Sequence, residues 1–459
     1  MTAVTGAALQ AVLSTAAPGD TVQLLPGVHT MTASVIVPTG VTVAGAGDGS
    51  TILSWPSGPA GTDVVGFSVA GSATVTLRDL TLQGPTIPRA GGKYTYAILV
   101  SGTPANTTGE LTCERVRITK PAGAGTGWYR GVQVQAGSIT DTGGFDLHLN
   151  DCDITTDNGG LNVYCPSNGT AKTVWAVDTH IHDLDGSHCA YIHPGVAFEF
   201  LRCRFGTTPS YALQHYSGGA DGIARFARFV DCDFDASATL GVLTSNSAGA
   251  STTFKNCRFA RITPSTAAIT SRSSLVVESC KFDLAADCNG VQGTDAGTMR
   301  IVGCEFRNTG GTSGNGASIS ATGGTTRVES CTFDLRSTGT GAPKAIRAHS
   351  ATANPTVTVE HCHIHASQNT GTTGGEAPYA VYVGDRASAT LIGCRLTGYY
   401  IPVYGAISLL GTGTLTVDNT EFAIASNSRV AWQTSGTPAG ALMYSDTNQR
   451  LSGLPLLLR

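Results

Sequence analysis

One stretch of the chain, DTHIHDLDGSHCAYIHPG, crowds together His180, His182, Asp183, Asp185, His188 and His193. The next, YALQHYSGGADGIARFAR, adds Tyr211, Gln214, His215, Tyr216, Asp221, Arg225 and Arg228. Five of the eleven histidines fall within 36 residues here. Two chemistries fit such a set. Cleaving a glycosidic bond by water needs two carboxyl groups, for which Asp183, Asp185 and Asp221 are the candidates. Elimination needs a base that removes the proton α to a carboxylate, and His215 and Arg225 are the candidates. Tyr191, Tyr211 and Tyr216 would offer flat faces to sugar rings, with His188, His193 and Gln214 as hydrogen-bonding partners.

Each assignment has a plainer rival. Asp183 and Asp185 flank a glycine turn, where carboxylates cap backbone N–H groups. Strand alternation places His193 and His215 on the same face as Val134 and Val163 of other repeats, which makes them interior histidines. His180 and His182 are two apart on a strand and share a face. No third ligand follows at a fixed spacing, so no metal set is assigned. No cofactor is assigned either; elimination chemistry would admit Ca²⁺ held by Asp, but no spacing indicates it.

The elements that must position these residues form a repeat. The units NDCDI (Cys152), LRCRF (Cys203), VDCDF (Cys232), KNCRF (Cys257), ESCKF (Cys280), VGCEF (Cys304), ESCTF (Cys331), EHCHI (Cys362) and IGCRL (Cys394) recur at intervals of about 23 to 36 residues. LRDLTL, ERVRI, VDTHI and VDNTEF continue the series without cysteine. Apolar residues alternate within each, so each is a strand with one buried face. A repeat of about 24 residues without an amphipathic helix is too short for a βαβ crossover and fits one rung of a parallel β-helix. The Cys and the Phe or Ile two places later become inward columns. The residue between them becomes an outward one: Asp153, His180, Arg204, Asp233, Arg258, Lys281, Glu305, Thr332, His363, Arg395 and Glu421. Its alternating charges predict cross-rung pairing, Asp233 with its arginine neighbours and Lys281 with Glu305. His361, His363 and His365 are expected to face outward together.

A second strand follows each marker: AILVS, GVQVQ, GLNVY, AYIH, ALQHY, GVLTS, GVQG, ASIS, AIRAH and AVYVG. Each is read as opening on a small residue. The residue two places on (Leu99, Gln133, Asn162, Ile192, Gln214, Gln292, Arg347, Tyr382) is expected to face water. That alignment stacks Ile192 with Gln214 and His193 with His215.

Composition agrees with a β-solenoid: 58 glycines, 13% charged residues and a net charge of −4. Without a basic run, nucleic acid is not an expected partner. Without an apolar stretch of about 20 residues, membrane insertion is not expected. The thirteen cysteines follow the repeat, with no CxxC pair, and read as buried, reduced thiols. No secretory signal is read at the N-terminus, so synthesis in the cytoplasm is expected.

The expected architecture is all-β: a right-handed, single-stranded parallel β-helix with an N-terminal capping helix and a small C-terminal hairpin. Residues 1–50 hold the cap and first rungs, 51–424 about 13 rungs, and 425–459 the tail. Thr5 is expected to N-cap a helix over residues 5–16, with a stripe of Leu9, Val12, Leu13 and Ala16. The rung pattern stops after Phe422, and GALMYSDTNQRLSG reads as a hairpin turning at Ser445–Asn448. Leu454–Leu458 read as an end cap or a subunit contact.

The stretches ALQAVLSTAAPGDTVQLLPGVHT, VIVPTGVTVAGAGDGSTIL and LRDLTL resemble the N-terminal signature of the pectate-lyase-like β-helix superfamily, of the phage tailspike type. The likeness covers about the first 85 residues, and the Cys-x-Phe rungs extend it. It implies a virion tail protein that binds, and in some relatives cleaves, a bacterial surface polysaccharide. Its implied partners are copies of itself in a homotrimer and other virion proteins. Two alternatives stay open: a free polysaccharide lyase, hydrolase or epimerase, and a non-catalytic structural β-helix.

Overall fold

The computed structural model describes residues 2–56, 63–86, 94–102, 107–121, 126–135, 143–164, 172–183, 188–193, 196–206, 211–215, 226–235, 240–244, 251–260, 267–284, 287–294, 297–310, 316–337, 343–350, 352–368, 379–384, 386–398, 407–410, 413–423, 432–435 and 442–444. The chain divides into two compact units. One spans Met1–Ala238 with Ser245–Ala250, the other Thr239–Thr244 with Ser251–Arg459. Each is built of right-handed parallel β-helix rungs.

A rung has three strands. In the first unit Gly144–Asn150, Asp153–Thr156 and Leu161–Val163 make one rung. The next consists of Lys172–Val177, His180–Asp183 and His188–Ile192. Each strand pairs in parallel with its counterpart, as in Asp153 with His180 and Asn162 with Tyr191. Stacked rungs bury together what no single rung could bury alone. The expected phenylalanine columns are present. In the first unit Phe205 and Phe234 lie face to face with centroids 4.9 Å apart. In the second, Phe259, Phe282, Phe306 and Phe333 follow at 4.8, 4.5 and 5.0 Å. These separations match the inter-strand spacing, so each ring packs on its counterpart, and each contributes about 1.5–3 kcal/mol by burial.

The cysteine marker has a backbone cause that residue types alone did not reveal. The residue before it is left-handed: Asp151, Asp178, Arg202 and Asp231 in the first unit, and Asn256, Ser279, Gly303, Ser330, His361, Gly393 and Asn419 in the second. All have φ between 42° and 61°. This single left-handed residue bends the first strand into the second, which explains the Asp, Asn and Gly so often found there. The next side chain points inward beside the carbonyls of the corner. Thr179 Oγ1 donates to the carbonyls of Val177 at 3.0 Å and Leu149 at 3.2 Å. Cys203 Sγ reaches the equivalent carbonyls of Leu201 and Ala176 at 3.5 and 3.3 Å. A small donor is what the corner needs, and Cys and Thr both supply one. Among the described residues, twelve cysteines are buried free thiols. Burial pushes Cys152 up to about 12, so that thiol is protonated at neutral pH.

The outward column runs Arg117, Asp153, His180, Arg204, Asp233 in the first unit, and Arg258, Lys281, Glu305, Thr332, His363, Arg395, Glu421 in the second. Lys281 meets Glu305 at 3.2 Å, as expected. Arg204 corrects the expectation: it meets Asp235, two residues beyond Asp233, at 3.0 Å. A long guanidinium arm reaches past its direct neighbour to the next residue on the same face. His361, His363 and His365 are all exposed, although His361 sits at the corner and only the other two bond Thr397.

Three further expectations are corrected. The helix spans Gly6–Leu13, and Thr5 makes no side-chain cap; instead the backbone N–H of Gly6 donates to His29 Nδ1 at 3.1 Å. The rung pattern continues past Phe422. Trp432–Ser435 pairs in parallel with Ile407–Leu410, and Leu442–Tyr444 pairs with Thr414–Asp418. Leu442–Tyr444 therefore continues the rungs, and the turn and second arm of the expected hairpin, within residues 445–459, lie outside the described residues. Finally, the second-strand alignment slips by one. Ile192 pairs with His215, and Tyr191 with Gln214. Cys189 occupies the small opening position, which was read as belonging to Ala190.

Candidate functional site

The second strands of four successive rungs carry the candidate site: Thr95–Ser101, Arg130–Gln135, Leu161–Val163 and His188–Ile192. Small residues bring these strands close. A Cβ on Gly131 would lie 2.4 Å from the carbonyl oxygen of Gly160 and 2.6 Å from Ile154, so only glycine fits. Two residues later the side chains point outward, where Gln133 neighbours Asn162 and Asn162 neighbours Tyr191. Gln133 and Asn162 were expected to face water, yet they are 3% and 4% exposed. They form the floor of a groove of about 500 Å³ that Tyr94, Tyr96, Arg130, Tyr164, His188 and Tyr191 also line.

Arg130 is the one cation among its described lining residues. Its guanidinium lies 5.8 Å from the ring of Tyr94 and 5.5 Å from that of Tyr129, and Nη1 donates to Gln133 Oε1 at 2.5 Å. Its buried Nε–H has no hydrogen-bond partner among the described residues. The segment that delivers it is held from behind by a buried ion pair, Lys120 Nζ to Asp157 Oδ1 at 2.6 Å. The backbone N–H groups of Asp157 and Asn158 donate to the carbonyls of Trp128 and Tyr129. His188 is pushed down to about 4, first by burial and then by the charge of Arg130, and is neutral at pH 7. Burial raises Tyr96, which stays a phenol. The groove thus presents aromatic faces, amide and imidazole hydrogen-bonding groups and one permanent cation. No carboxylate is among its lining residues. Flat aromatic faces beside amide and imidazole groups are the features a saccharide groove needs, and the described lining residues do not themselves supply a carboxyl pair.

The sequence candidates scatter around this groove. His188 and Tyr191 line it, with rings 5.2 Å apart. Gln214 follows Tyr191 in the outward column, half-buried. His193 is buried beside the groove, its ring 4.5 Å from Tyr164. His215 continues the inward column Val134, Val163, Ile192. It is 3% exposed, lies edge-on to Phe198 at 5.3 Å, and burial pushes it down to about 4. The strand backbones of Asp183 and Tyr211 pair with Thr156 and His188 respectively. Asp185, Tyr216, Asp221 and Arg225 lie outside the described residues. Tyr94, Tyr96, Arg130, Gln133, Asn162 and Tyr164 were missed as site residues. Their signal was the tyrosines bracketing the second strands in KYTYAILV, WYRGVQVQ and LNVY.

A second cluster lies on the neighbouring face, where His180 and His182 meet Asp153 of the preceding rung. His182 Nε2 is 2.5 Å from His180 Nδ1 and 3.8 Å from Asp153 Oδ1. Burial lowers both histidines, His180 to about 4. Register brings a third group with a metal-binding atom to the two histidines, since Asp153 and His180 are direct neighbours in adjacent strands.

Residues 188–342 match the family model described as a right handed beta helix region. No curated protein matches the chain. Among solved structures, it is similar to the catalytic unit of a GH87 α-1,3-glucanase from Streptomyces thermodiastaticus, at 15% identity and a TM-score of 0.36, covering 97% of this chain and 67% of that one. Tailspike protein 3 of bacteriophage CBA120 aligns at 11% identity and a TM-score of 0.33, covering 98% and 59%. The A-module of a mannuronan C-5 epimerase from Azotobacter vinelandii aligns at 12% identity and a TM-score of 0.28, covering 96% and 95%. The chain therefore spans about three-fifths of the tailspike and two-thirds of the glucanase. It is a right-handed parallel β-helix protein.

Proposed function

We propose that the chain binds an acidic polysaccharide along the second-strand groove, as the receptor-binding part of a tailspike-type virion protein. The observation that carries the binding is Arg130. It lies against two tyrosine rings that pack on each other, above a floor of Gln133 and Asn162, with a buried Nε–H unpartnered among the described residues. A carboxylate or sulfate on a sugar would engage the guanidinium while the ring stacks on Tyr94, Tyr164 or Tyr191. The tailspike assignment, the homotrimer and the bacterial host surface extend the sequence resemblance, and a stable trimer in solution would support them. The free-enzyme reading keeps Asp183, Asp185, Asp221, His215 and Arg225 as its catalysts, and the burial of His215 weighs against that member.

The test is a panel of acidic and neutral bacterial polysaccharides, with binding read by calorimetry. Cleavage is read in parallel through new reducing ends and the absorbance of unsaturated products. Binding of acidic members without cleavage is the expected result. Arg130→Ala should weaken it at least tenfold. Preference for neutral glycans, or full binding by Arg130→Ala, would refute the proposal.

A further inference from the structure

We infer that Asp153, His180 and His182 form a binding site for a divalent transition metal of the zinc type. The three side chains come from two adjacent rungs, and the strand pairing of Asp153 with His180 fixes their approach. One ligand atom from each lies within 4.8 Å of the others. Zinc takes imidazole nitrogen at about 2.0–2.1 Å in tetrahedral geometry, so ligand atoms of a filled shell stand about 3.3 Å apart. The 2.5 Å and 3.8 Å separations here bracket that value.

The chemistry of the cluster points the same way. Three atoms that can each carry a lone pair converge, His182 Nε2, His180 Nδ1 and Asp153 Oδ1, and the contact between the two ring nitrogens takes up one N–H. Asp153 Oδ1 is buried at the atom level and accepts no hydrogen bond among the described residues. His180 Nε2, on the far side of its ring, is likewise buried and unpartnered among the described residues. His182 is held in position from behind, because a Cβ at Gly206 would sit 2.5 Å from its Nδ1. Glycine there leaves room for the ring and directs Nε2 toward the other two ligands. The nearest cation of the next rung, Arg204, is engaged by Asp235 at 3.0 Å. Two nitrogens and one carboxylate oxygen suit zinc, nickel or copper and not the hard calcium ion, which takes oxygen ligands. Three protein ligands leave a fourth position to water.

The experiment titrates the untagged full chain, stripped with a chelator, with Zn²⁺ by calorimetry, and with Ca²⁺ in parallel. One Zn²⁺ per chain and no Ca²⁺ heat from this cluster are expected. Asp153→Asn should weaken the Zn²⁺ event at least tenfold, and His182→Gln should abolish it. The double variant His363→Gln, His365→Gln should leave it intact, which separates the cluster from the exposed histidines of the second unit. Cobalt provides an independent readout: the visible bands of four-coordinate Co²⁺ should appear with the parent and vanish with His182→Gln. Absence of Zn²⁺ binding by the parent, or binding unchanged in both Asp153→Asn and His182→Gln, overturns the proposal. Far-UV circular dichroism of each variant verifies folding. Should His182→Gln misfold, the isosteric Asp153→Asn, at a half-buried position, decides the question alone.

Discussion

Replacing His215 with leucine should make the protein more stable, and most of all in mild acid. His215 takes the place that Val134, Val163 and Ile192 hold in the rungs before it. Neither ring nitrogen has a hydrogen-bond partner among the described residues. Leaving such a group unsatisfied in the interior costs about 1–3 kcal/mol. Leucine removes that penalty and keeps similar volume against Phe198. The charge effect adds to it. Burial, together with nearby His193, lowers the imidazole from 6.5 to about 4. The unfolded chain therefore binds a proton that the folded one refuses. The stability tied to the neutral ring is complete above about pH 6.5 and is lost as pH falls toward 4. A difference of about 2.5 pH units corresponds to about 3 kcal/mol. The assay is the urea midpoint followed by circular dichroism from pH 7 to pH 4. His215→Leu should raise the midpoint at pH 7 and flatten its decline below pH 6.5 by about one proton. A lower midpoint at pH 5, or an unchanged slope, would refute this account of the interior. If His215→Leu also lost glycan binding or turnover, the histidine would be reaching the ligand from the core.

Other perturbations test the framework. Asp157→Ala takes the carboxylate away from the buried Lys120 ammonium and should destabilise the first unit by about 3–5 kcal/mol, read by chemical denaturation, while Lys120→Met with Asp157→Leu should recover most of the loss. Ser330→Gly, at a left-handed corner that Gly303 and Gly393 occupy elsewhere, should be neutral or stabilising, whereas Ser330→Val should cost at least about 1–2 kcal/mol in a thermal melt. Cys331→Thr should change stability by less than about 1 kcal/mol, because Thr179 and Thr420 already fill that position, whereas Cys331→Leu overpacks the corner and should cost about 1–3 kcal/mol.

Much of the fold was legible because a rung repeats its own errors and successes. Alternation around each Cys-x-Phe unit fixed the inward phenylalanines and the outward charges, and both columns stand in register. The second strand was harder to align. Cys189 and Ser318 occupy small positions that were read as belonging to Ala190 and Ala317, since volume, not residue type, decides what fits against the neighbouring rung. The rungs beyond Phe422 were not legible because Trp432–Ser435 and Leu442–Tyr444 lack the marker yet still find parallel partners. The candidate site was half legible. A search for titratable density found His188 and Tyr191. It passed over Tyr94, Arg130 and Tyr164, which lie far apart in sequence and meet only through stacking. Asp153 escaped as a member of the proposed metal site for the same reason: its spacing from His180 is one rung length, not a local motif.

The left-handed corner also bears on how such a chain changes over time. Each corner resets the phase of the inward–outward alternation, so a residue gained or lost in the segment between two rungs stops mattering at the next one. Rung lengths here differ by several residues, yet the columns after each corner remain aligned. Insertions are therefore absorbed locally, much as punctuation contains a slip within one sentence. Surfaces built between corners can be exchanged piecemeal while the scaffold that displays them keeps its grammar.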